Sequence, residues 1–186
     1  MDVISLFARE ILLTLGYEGH DVLLQSRYYI PLLICNTERS VKTDVSLIRP
    51  SSTTVLLVVQ QDKTAADKWP EAQVIADAIA AFQRNNRTRA RLGQPELDSM
   101  TIPCKGMIGT RPIFYLVPVT QELSEAVAAG QYLPTPTVVK SCAVATESCS
   151  ISEGMESVDF RQVALQHFVV FRTLAEAHWS VFDIGA

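Results

Sequence analysis

Asp44, Gln61, Asp62 and Lys63 are the residues of this chain whose types and spacing could do chemistry. Gln61 and Lys63 stand two apart at the end of TTVLLVVQQDK, residues 53–63, a run that reads as a strand, so their side chains share one face. Asp44 belongs to a second, alternating run, VKTDVSLI at 41–48. The Arg49-Pro50-Ser51-Ser52 turn between the two predicts a hairpin that brings Asp44 beside them. A carboxylate, an amide oxygen and an ammonium then converge at one rim of a sheet. Oxygen ligands suit a hard cation such as Mg²⁺ or Mn²⁺, which activates water, while a lysine offsets developing negative charge; the set fits metal-assisted phosphodiester hydrolysis. The plainer alternative is that Lys63 pairs with Asp62 or Asp67 on the surface and Gln61 is a strand end reaching solvent.

The elements that would hold these residues are legible in the apolar pattern. Ile4, Phe7, Ala8, Ile11, Leu12 and Leu15 recur at helical spacing before Gly16, and VLLQSRYYIPLLIC, residues 22–35, reads as a first strand. Val55 to Val59 are apolar without a break, as in a strand covered on both faces, so helices are expected on either side of the sheet. Pro70 and Glu71 open a second helix whose stripe, Val74, Ile75, Ala78, Ile79 and Phe82, runs toward Arg84. The polar stretch 85–98 is expected to be a loop. Residues 107–119 predict a strand pair or a bent strand around Gly109 to Pro112, followed by a helix from Thr120 to Ala129 capped by Gly130. A short strand at 138–144, an exposed linker at 145–157 and one or two helices at 158–182 complete the chain. The order is α-β-β-β-α-β and then α-β-α, read as a single domain with a core at 1–119 and an extension at 120–186.

A chain of 186 residues, 48% hydrophobic, can bury one sizeable core. Its net charge of -4 argues against a surface that is basic throughout, although residues 1–119 hold 13 Lys and Arg against 12 Asp and Glu, and the acidity falls in the C-terminal third. Arg84, Arg87, Arg89 and Arg91 form the one basic cluster and are the candidate phosphate contacts. Cys35, Cys104, Cys142 and Cys149 lack zinc-site spacing and are expected as buried free thiols. No phosphate-binding glycine loop or nucleophile elbow is present. The absence of a signal-like N-terminus or of any run of about 18 apolar residues predicts an intracellular protein, cytoplasmic or nuclear, with no membrane contact.

The element order, with Thr43-Asp44 on the second strand and Gln61-Asp62-Lys63 on the third, resembles the PD-(D/E)XK nuclease superfamily. That resemblance implies a restriction-endonuclease-like three-layer α/β core, a mixed sheet flanked by helices, with a C-terminal helical extension. It implies Mg²⁺ or Mn²⁺ held by Asp44 and Gln61, with Gln in place of the usual acid, and Lys63 as the catalytic cation. Glu10 on the first helix corresponds to a further metal ligand in some members, and Gln73 to the helix glutamine of exonuclease-type members. The expected activity is nucleolytic, on DNA or RNA, the alternative being a silent module of the same fold that binds nucleic acid or protein. IPLLIC, KTDVSLI, QVIADAIAAFQ, GTRPIFYLVPVTQEL and PTVVKSC more narrowly resemble a family of uncharacterised proteins from mushroom-forming fungi.

Overall fold

Strand and helix signals place six strands and four helices in the computed structural model, which describes residues 3–62, 71–145 and 154–182. They follow the order α1 (Val3–Thr14), β1 (Leu23–Ile34), β2 (Thr37–Arg49), β3 (Thr54–Asp62), α2 (Glu71–Arg91), β4 (Ser99–Ile108), β5 (Arg111–Thr120), α3 (Gln121–Ala129), β6 (Lys140–Ala143) and α4 (Val158–Phe182). The first six elements are α-β-β-β-α-β, as expected. The strands form one sheet in sequence order. All pairings are antiparallel except β3 with β4, which lie parallel because α2 carries the chain back between them. The fold is α/β.

The unbroken apolar run of β3 has the cause inferred for it: Val55 to Val59 are at most 1% exposed, with α2 over one face and α4 over the other. The β2–β3 register slips by one after Leu47↔Leu57, leaving Leu56 as an extra residue. A bulge frees backbone groups that must find partners elsewhere. Asn85 of α2 accepts from the Val55 N–H at 2.8 Å and donates to its carbonyl at 2.9 Å, while Trp179 Nε1 of α4 donates to the Leu56 carbonyl at 2.8 Å.

That duty overturns one expectation. Residues 85–91 continue α2 instead of starting a loop, because the polar side chains there point inward: Asn85 is 1% exposed, and Asn86 holds both the N–H and the carbonyl of Leu97. The strand pair anticipated at 107–119 begins earlier, at Ser99, and its hairpin turns at Gly109. The region 158–182 is one helix, with Phe160, Ala164, Phe168, Phe171, Ala175 and Trp179 buried along it. Of the linker expected at 145–157, residues 146–153 lie outside the described residues. Cys35, Cys104 and Cys142 are free; only Cys104 is buried, since Cys35 sits in the β1–β2 turn and Cys142 on the edge strand β6. Cys149 lies outside the described residues.

Helix ends are tied to distant parts of the chain. Thr120 caps α3 by accepting from Leu123 N at 3.1 Å, and Gly130, at φ 71°, closes it. The β1–β2 turn, Cys35 and Asn36 with φ of 49° and 55°, docks there through its N–H groups onto the Val127 and Ala128 carbonyls. Arg172 of α4 donates to the Leu15 carbonyl at 2.6 Å, a cation at the C-terminus of α1. On this α4 side, Lys105 of β4 is 1% exposed. Among the described residues its Nζ has no hydrogen-bond partner, and it lies 3.8 Å from the Tyr17 ring centroid and 4.4 Å from that of Phe168. Among the described residues no helix is long and apolar enough to cross a membrane.

Candidate functional site

The site expected at the rim of the sheet has its counterpart on the α2 side. Cys104 of β4 is within the electrostatic reach of Asp77 on α2, and Cys104 pairs with Val58, so Val58 and its neighbours two along, Gln60 and Asp62, occupy the α2-facing positions of β3. Asp77 is fully buried. Its Oδ1 accepts from Gln73 Nε2 at 3.0 Å across one helical turn, and its Oδ2 has no partner among the described residues. Burial pushes its carboxyl up to about 7, helped by the negative charge of Asp44 and opposed by the Gln73 hydrogen bond. Gln60 Oε1 is likewise buried, without a donor among the described residues. Asp44, Gln73 and Asp77 are therefore brought together, with Gln60 at a register position on the same face of β3.

The other expected residues fall differently. Gln61 pairs with Met107, one step from Gln60, and so holds a register position on the alternate, α4-facing side of β3; its side chain is outside the described residues, as is Lys63 altogether. Glu10 is exposed and lies 3.6 Å from Arg9. It belongs to α1, whose end is capped by α4, so it stands on the layer opposite Gln73. In the basic cluster, Arg84 donates to the Thr53 carbonyl at 3.4 Å and covers the Tyr28 ring at 5.2 Å, and Arg89, 8% exposed, donates to the Pro95 carbonyl at 2.8 Å. Those two cations serve the fold, leaving Arg87 and Arg91 exposed on the last turns of α2.

Comparison with known proteins adds little beyond this geometry. No protein-family model matches the chain, and no curated protein matches it. It is similar to the crystal structure of the type IIG restriction endonuclease BpuSI, at 12% identity and a TM-score of 0.37, over 91% of this chain and 16% of that one.

Asp77 and Gln60 are the residues that the strand-three motif does not point to. The signal for Asp77 is an acid one turn after Gln73 inside VIADAIAAF, where every neighbour is apolar and an exposed position would not be. The donor set fits a hard divalent cation in kind: its acceptors are oxygens, and among the described residues two of them are buried and lack donors. Among the described residues no three His, Cys, Asp or Glu side chains come together, so the set holds two carboxylates and an amide oxygen.

Proposed function

We propose that this chain is a metal-dependent nuclease that hydrolyses phosphodiester bonds in DNA or RNA at the α2-facing rim of β3. The observation that carries the reading is the pair of buried acceptors without donors, Gln60 Oε1 and Asp77 Oδ2, in the field of Asp44. A buried acceptor left unsatisfied costs about 1–3 kcal/mol, a cost that a bound cation would remove. Asp44, Asp77 and Gln60 would hold Mg²⁺ or Mn²⁺, which when bound supplies a Lewis acid and an activated water. Gln73 fixes Asp77 through Oδ1 so that Oδ2 is the oxygen left to offer. Lys63, directly after β3, is the cation assigned to the charge that develops on the phosphate, and Arg87 and Arg91 are assigned to backbone phosphates further along.

Titration with Mn²⁺, followed by incubation with supercoiled and single-stranded DNA, tests this. Wild type should bind the ion and cut, Asp44→Ala should lose both, and Lys63→Ala should bind the ion without cutting. The two-carboxylate set favours a second reading, a silent module of the same fold, and ion binding with no cleavage by wild type on either substrate would put that reading first.

A further inference from the structure

We infer that the outer face of the β1–β2 hairpin is a platform for single-stranded nucleic acid, on which a base stacks against Tyr29 while Lys42 and Arg27 take phosphates, a surface separate from the α2-facing site. Tyr29 is 59% exposed, although its neighbours Ile30 and Val41 are buried on the inner face of the same hairpin. Its cross-strand partner is Lys42, whose Nζ sits 5.8 Å from the ring centroid. A large aromatic left in solvent with a cation against it offers a π face and a charge at one place, which is what an unpaired nucleotide presents in complement.

The platform ends at a break in the pairing of the two strands. The β1–β2 pairing is interrupted once, between Ser26↔Val45 and Tyr28↔Thr43, and the residues facing each other across that gap are Arg27 and Asp44. Arg27 is exposed and takes a left-handed φ of 53°, a conformation that a residue with a Cβ rarely adopts and that turns the strand at this point. A strand lying over Tyr29 would hold its phosphates at Lys42 and Arg27, on the face of the hairpin turned away from α2, whose Arg84 covers Tyr28 on the inner face. Glu38, at the hairpin tip, bounds the platform at its far end. The choice of single strand over duplex follows from the stacking: paired bases hide their faces from a lone protruding ring.

The test measures binding and cleavage separately. Fluorescence anisotropy in EDTA, with labelled oligothymidylate and with its duplex on oligoadenylate, should show tighter binding of the single strand. Tyr29→Ala should weaken that binding at least about fivefold, Tyr29→Trp should restore it, and Lys42→Ala should flatten the salt dependence by about 0.7 in log–log slope. Equal affinity of wild type and Tyr29→Ala, or preference for the duplex, overturns the platform. Single-strand binding in EDTA with no cleavage in Mn²⁺ upholds the platform and defeats the nuclease reading; cleavage of single strands with equal affinity of wild type and Tyr29→Ala does the reverse.

Discussion

Asp77 is an acid placed where ionisation is unfavourable, and its titration is measurable without any ligand. Its folded value near 7 lies above the unfolded value of 3.8, so the folded protein holds the proton more tightly and the stabilisation is complete below about pH 4 and lost as pH rises through 7. Asp77→Asn, which can keep the Gln73 contact through its amide oxygen, should raise the melting temperature in EDTA at pH 8, by up to about 4 kcal/mol of stability, with the gap closing toward pH 4. The same scale separates two neighbouring amides. Gln60→Glu should tighten Mn²⁺ binding by adding charge beside Asp77, whereas Gln61→Glu, at the alternate register position, should leave it unchanged; titration of the folded variants reads the difference. The site was only partly legible from sequence for this reason. Asp44 is legible as an acid on an alternating strand and Gln73 through the family resemblance, but choosing Gln60 over Gln61 needs the register of β3 against β4, which two adjacent glutamines do not reveal.

Elements were read well where periodicity and capping agreed, as for α3 between Thr120 and Gly130 and for β3 with its continuous apolar run. They were read poorly where a polar side chain does interior work. NNRTRAR looks like a loop by composition, yet Asn85 is as necessary to the sheet as an apolar residue, because it serves both backbone groups of Val55 beside the Leu56 bulge. Removing the amide should cost about 2–4 kcal/mol, the order expected for two buried backbone groups left unpaired, so urea denaturation of Asn85→Ala should show a markedly lower midpoint with an unchanged slope. Trp179→Phe should lose less, since it orphans the single Leu56 carbonyl while retaining most of the buried ring.

For the molecule as a whole, the contacts that bury the sheet include one that lowers stability. Burial holds the Lys105 amine well below its usual range, and the nearby Tyr17 and Phe168 rings, each contributing about 2 kcal/mol at most, do not offset removal of an ammonium from water. Between its lowered folded value and its ordinary one the folded state therefore binds fewer protons than the unfolded one, and stability from this group rises with pH across that window. Lys105→Met should raise the melting temperature at pH 6 by an amount worth roughly 1–3 kcal/mol, with a smaller gain at pH 9. The long outer strand β1 has a different consequence. Its free side is an invitation to any other extended chain, and Gln83 blocks it by mimicking a neighbouring strand, accepting from the Leu33 N–H at 2.8 Å and donating to its carbonyl at 3.1 Å. Gln83→Ala would uncover that rung beside the exposed Leu33 side chain. At high concentration the variant should then self-associate edge to edge, visible as a concentration-dependent rise in sedimentation coefficient that wild type does not show.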